Sequence, residues 1–133
     1  LRILGKYGIF ADRVELWGTG KPLREFLWSE EMADASVYIL ERVDFKDTYA
    51  AGERDIRNCH INIGTGKELT IAELAALIKR AVGYEGTIRF DASKPDGTMR
   101  KLTDVSKLHA LGWHHQIEIE EGVARLYQWY LQH

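Results

Sequence analysis

A chain of 133 residues, 45% hydrophobic and 29% charged, has the size and composition of one ordinary globular domain with enough apolar residues to bury a core. Its formal net charge of -2 leaves no basic footprint, which argues against nucleic acid or an anionic membrane as principal partner. The single cysteine, Cys59, excludes an internal disulfide and a multi-cysteine metal site and fits a reducing, cytoplasmic setting, and no apolar run is long enough to span a bilayer.

Residues 1–9 read as the tail of a helix broken by Gly5 and Gly8, and the abrupt apolar start (Leu1, Ile3, Leu4) reads as that of a fragment. Val14 to Trp17 has strand character, Gly18-Thr19-Gly20-Lys21-Pro22 is turn chemistry, and Arg24 to Trp28 follows as a second strand, together a hairpin that leaves Trp17 and Arg24 near one mouth. Ser29 is the expected N-cap of a helix over residues 30–43, with Glu30 and Glu31 at its positive end and Met32, Ala35, Ser36, Ile39, Leu40 and Val43 on its buried face. Residues 44–58 are polar and irregular, a surface loop.

His60-Ile61-Asn62-Ile63 alternates as a strand and runs into a second Gly-Thr-Gly turn at 64–66. The clearest helix comes next. Thr70 and Glu73 form a capping box, Ile71, Leu74, Ala75, Leu77, Ile78, Ala81 and Val82 form an apolar stripe, and Gly83 closes it in the left-handed conformation. Thr87 to Phe90 is a strand, 91–101 a loop around Pro95-Asp96-Gly97, 104–111 a short helix closed by Gly112, and Glu120 to Leu131 a last helix with Val123, Leu126, Tyr127 and Tyr130 inward. Short strands mixed with several helices imply a small α/β fold.

Neither Gly-Thr-Gly run carries the third glycine of a dinucleotide fingerprint or the spacing of a P-loop, so no cofactor site is visible. Adjacent His114 and His115 point to opposite faces of an extended segment, His60 and His109 have no ligand at metal spacing, and no serine lies in a nucleophile elbow. The loop 91–101 is different: Lys94, Arg100 and Lys101 surround Asp96. Cations that take phosphate oxygens beside a carboxylate that takes hydroxyls suit a nucleoside diphosphate, and an indole offers a flat face for a base or sugar.

Taken together, Trp17-Gly-Thr-Gly-Lys-Pro-Leu-Arg24-Glu-Phe, His60-Ile-Asn-Ile-Gly-Thr-Gly, Phe90-Asp-Ala-Ser-Lys-Pro-Asp96-Gly-Thr-Met-Arg-Lys101 and Leu111-Gly-Trp113 resemble the GDP-L-fucose synthase family, NADPH-dependent 3,5-epimerase/4-reductases of the extended short-chain dehydrogenase/reductase class. The resemblance implies a small C-terminal substrate-binding domain over residues 1–133, with the NADP(H)-binding Rossmann domain and the catalytic set lying upstream. It implies that Trp17, Arg24, Asp96, Lys101 and Arg2 contact the GDP-sugar, Arg24 at the diphosphate, and that the whole enzyme is a homodimer. Cys59 and His60 do not match the family's epimerisation residues. On this reading the fragment alone performs no hydride transfer. The alternatives are another nucleotide-sugar epimerase or dehydratase of the same class and a stand-alone nucleotide-diphosphate-binding module without chemistry.

Overall fold

The computed structural model describes residues 8, 10 and 12–133, so most of the helix expected over residues 1–9 lies outside the described residues. In chain order the elements are β1 (Arg13–Trp17), β2 (Leu23–Arg24), α1 (Ser29–Arg42), a 3-10 turn (Phe45–Thr48), β3 (Leu69–Thr70), α2 (Ile71–Val82), β4 (Thr87–Asp91), β5 (Arg100–Lys101), α3 (Ser106–Ala110) and α4 (Ile119–Gln132). The result is the small α/β architecture expected from the sequence. Backbone contacts gather it into two units, one of Leu1–Arg24, Glu68–Lys101 and Glu120–His133, the other of Glu25–Lys67 and Leu102–Ile119.

In the first unit β1 runs parallel to β4, with Val14 opposite Ile88 and Leu16 opposite Phe90. Parallel strands need a long crossover, and α2 lies on that connection. It begins where expected: the Thr70 hydroxyl oxygen accepts the Glu73 N–H at 3.1 Å, and Glu73 Oε2 accepts the Thr70 N–H at 2.7 Å. Gly83 closes it at φ 67°, a conformation that costs a side chain strain.

The expected hairpin does not form. β2 pairs antiparallel with β3 and parallel with β5, placing Leu23 opposite Thr70 and Arg24 opposite Lys101. The backbone of the intervening turn is committed elsewhere: the Gly18 N–H donates to Asp91 O, Gly20 O accepts from Ala72, and Pro22 O accepts from Ile71. With φ at 87° and 75°, Gly18 and Gly20 send the chain into another sheet instead of back along β1. The second strand is also shorter than expected, two residues in place of 24–28, and the loop 91–101 ends in β5. In α4, Val123 and Tyr127 are half-buried, but Leu126 and Tyr130, expected inward, are exposed. Within this unit they face only a shallow groove of about 370 Å³ shared with Ile78 and Val82.

The second unit has its core in Ala35, Leu108 and Trp113, against which Leu27, Tyr38, Ile39, Ile61 and Ile63 pack. Here α1 is rotated from its expected face. Ala35 and Ile39 point inward as expected, but Met32, Ser36 and Leu40 are exposed. The cause is polar: buried Glu31 accepts the N–H groups of Gln116 and Ile117, and Asp34 accepts the Trp113 indole N–H at 2.8 Å. Trp28, not Ser29, occupies the N-cap position, without a side-chain cap. His60–Ile63, expected as a strand, does not alternate in burial, with Ile61, Asn62 and Ile63 all half-buried, and it finds no ladder among the described residues. Side chains take over that role, with Asn62 Nδ2 donating to Asp104 O at 3.0 Å and Lys107 Nζ donating to His60 O and Thr48 O, each at 3.0 Å, and to Asn58 O.

Candidate functional site

Of the charged residues singled out in the sequence, Arg24 and Asp96 border a small cleft of about 90 Å³ in the first unit, with Trp17, Gly97, Pro22 and Ile71. Trp17 ends β1 with 75% of its surface exposed, and Lys94 Nζ sits 5.7 Å from its ring centroid, within cation–π range. Arg24, on the central strand of the β3-β2-β5 sheet, donates from Nη1 to Leu23 O at 2.6 Å. A Cβ on Gly97 would stand 3.0 Å from Arg24 Nη2, so the bare glycine backbone gives the guanidinium its room. Lys101 is exposed, at the register position opposite Arg24 on β5. Arg2 lies outside the described residues.

Asp96 is fully engaged. Its Oδ1 accepts the Thr19 N–H at 2.7 Å and its Oδ2 accepts the Thr19 hydroxyl at 2.6 Å. These two bonds, the hydroxyl's first, hold the carboxyl below the usual aspartate range, helped slightly by Lys21 and opposed by burial. The turn 95–97 is thereby tied to the turn 18–20, and Gly18 lacks a Cβ where Asp96 Oδ1 lies. Asp91 anchors the base of the loop: its Oδ1 accepts from the Ser93 hydroxyl at 2.5 Å and the Ser93 N–H at 3.0 Å, and its backbone oxygen takes the N–H groups of Gly18 and Lys94. Arg100 does not join the group of available cations, because its Nε and Nη2 form a fork on the Glu68 carboxylate at 3.0 and 2.7 Å. The Thr19–Asp96 pairing spans 77 positions, and its one local trace in the sequence is a hydroxyl flanked by two glycines.

Larger clefts exist but have the wrong chemistry. One of about 440 Å³ runs between β1, β4 and α2, lined by Val14, Leu16, Leu74 and Ile88 among others, and it is almost wholly apolar. A diphosphate needs fixed donors and positive charge, and the Arg24 guanidinium borders the small cleft instead.

The second Gly-Thr-Gly run lies in the other unit and is already filled by an anion of the chain itself. Glu25 Oε1 accepts the N–H groups of Thr65 and Gly66 at 2.6 and 2.7 Å, and Oε2 accepts that of Thr103 at 3.0 Å. Burial pushes the Glu25 pKa up, but the bonds from Thr103, Gly66 and Thr65 outweigh it and the net direction is down. A dinucleotide cofactor therefore does not fit either run, since the N–H groups of Thr19, Thr65 and Gly66 that would meet a pyrophosphate are taken by carboxylates. Among the described residues no cluster of three His, Cys, Asp or Glu could hold a metal ion, and no helix is long and apolar enough to cross a membrane.

Residues 3–64 match the model of the NAD dependent epimerase/dehydratase family. Over 122 residues the chain is 48% identical to the GDP-L-fucose synthase of Escherichia coli K12, covering 92% of this chain and 37% of that protein. Among solved structures, a GDP-6-OMe-4-keto-L-xylo-heptose reductase from C. jejuni superposes with a TM-score of 0.92 at 44% identity over 98% of this chain and 37% of its own. The GDP-D-glycero-L-gluco-heptose synthase of Campylobacter jejuni, crystallised in the presence of NADPH, follows with a TM-score of 0.86 at 42% identity over 98% of this chain and 36% of its own. The chain thus spans a little over a third of the length of these relatives. By sequence the chain is a homologue of part of the GDP-L-fucose synthases, and its residues 3–64 match the NAD dependent epimerase/dehydratase family.

Proposed function

We propose that this chain is the nucleotide-gripping portion of a GDP-sugar epimerase/reductase. In the whole enzyme the reaction is conversion of GDP-4-keto-6-deoxy-D-mannose to GDP-L-fucose by 3,5-epimerisation and NADPH-dependent 4-reduction. Arg24 takes the diphosphate, Trp17 offers its ring to the base or sugar, Lys101 adds positive charge, and Arg2 contributes a further basic contact. Asp96 shapes the cleft through its turn. What supports this reading above all is that three segments far apart in the chain, 17–24, 71 and 96–97, border one cleft with an exposed indole and a guanidinium on its rim.

No residue of this chain is assigned to NADP(H), because both glycine runs are filled; binding of the cofactor and the hydride step belong to a part of the enzyme that this chain does not span. The chain by itself is inactive. In the whole enzyme, a homodimer on this reading, it would supply remote binding energy that orients the reacting sugar.

Calorimetric titration of the 133-residue chain with GDP, UDP and dTDP tests this. GDP is expected to bind best, with Kd from about tens of micromolar to about a millimolar, because part of the pocket is contributed from elsewhere. Arg24→Ala should weaken GDP binding about 10- to 100-fold, the value of a hydrogen bond to a charged group. Equal affinity for all three nucleotides, or no effect of Arg24→Ala, would contradict the assignment.

A further inference from the structure

The two turns that border the cleft are joined by a single side chain. Thr19 donates its hydroxyl to Asp96 Oδ2 at 2.6 Å and its N–H to Oδ1 at 2.7 Å, while the same hydroxyl oxygen accepts the Lys21 N–H at 3.3 Å. One hydroxyl thus fixes the 18–21 turn to itself and to the 95–97 turn. The second of these turns sets the room available to Arg24, since Gly97 lies against its Nη2. Gly18 allows the approach, because a Cβ there would collide with Asp96 Oδ1. Both carboxylate oxygens of Asp96 already have a donor from Thr19, so the first role of this aspartate is geometric.

We propose that Thr19 is a positioning residue of the site: by clasping Asp96 it holds the 95–97 turn against Arg24, so that the guanidinium and the Trp17 ring are presented together to the ligand. This rests on the reading of the cleft as a diphosphate seat. Thr19 need not touch the nucleotide. Its hydroxyl acts through Asp96, and a methyl in its place leaves the backbone N–H bond to Oδ1 but releases Oδ2 and the Lys21 amide.

The test compares Thr19→Val with Thr19→Ser in the full 133-residue chain, using GDP as the probe and circular dichroism to verify folding. Thr19→Val should weaken GDP binding about tenfold while Thr19→Ser, which keeps the hydroxyl, stays within about twofold of the parent. Independently of any nucleotide, the Asp96 carboxyl followed by carbon-13 NMR should titrate higher in the valine variant and not in the serine variant. Asp96→Ala, which removes both acceptors of Thr19, is the second variant and should reproduce the loss. Thr19→Val binding GDP like the parent, or both Thr19 variants losing it equally, overturns the positioning role while the diphosphate seat stands. Failure of the folded parent chain to bind GDP overturns both.

Discussion

Replacing Glu25 by glutamine removes one negative charge and one acceptor while keeping the shape of the side chain. Its two oxygens accept three backbone N–H groups, from Thr65, Gly66 and Thr103, all between 2.6 and 3.0 Å. Glutamine can still accept from Thr65 and Gly66 with its carbonyl, but as neutral bonds worth roughly half as much. Its NH2 then faces the Thr103 N–H, two donors in contact, which strands a part-buried amide at about 1–3 kcal/mol. The sum comes to about 2.5–6 kcal/mol, a large share of a small domain's stability. Urea unfolding of the two proteins measures it, and hydrogen exchange at residues 64–66 and 103 locates it. Acid adds a second arm. The folded-state pKa of Glu25 is depressed, so its stabilisation is present above the unfolded value of about 4.3 and is lost as pH falls through the lower, folded one. The glutamine variant should lack that part of the acid-unfolding slope. A variant within about 0.5 kcal/mol of the parent, with amides 65, 66 and 103 still protected, would refute the account.

Thr70→Ala removes the cap of α2 and should cost about 1 kcal/mol, with faster amide exchange confined to the first turn, around Glu73; unchanged exchange there would show that the box contributes nothing. His109 stacks on His114 at 4.2 Å between centroids and keeps a buried Nε2 without a partner. Burial first, then the charges of His114 and His115, hold its pKa below the ordinary histidine value. The unfolded chain therefore takes up this proton more readily, and the melting temperature should fall as pH drops below about 6.5, a fall that His109→Phe should flatten. Melting curves of parent and variant that share one pH profile would refute the assignment.

What could be read in advance was what local chemistry decides. The Thr70-x-x-Glu73 box, the apolar stripe after it and Gly83 define α2 within a dozen residues, and β4 follows from its alternation. What could not be read was pairing. Nothing near Arg24 says that its neighbours will be β3 and β5, since both lie more than forty positions away. The face of α1 was misjudged for a related reason: Glu31 and Asp34 look like solvated helix residues until Gln116, Ile117 and Trp113 arrive to use them. In the cleft, Trp17, Arg24 and Asp96 were visible as chemistry, but the engagement of Asp96 by Thr19 and of Arg100 by Glu68 was not, because hydrogen-bond partners so distant leave no pattern in a single sequence.

The ammonium of Lys107 holds carbonyls at both feet of the 48–60 excursion, Thr48 on one side and Asn58 and His60 on the other. Everything from Ala50 to Arg57 outside that knot is exposed. For a protein engineer this is a grafting point: doubling a loop between fixed ends costs only about 0.6 kcal/mol of closure entropy, so a peptide insert here should leave the rest of the unit undisturbed. Cys59, the chain's single thiol and itself exposed, lies at the same base, ready to take a fluorophore that would report on whatever is inserted.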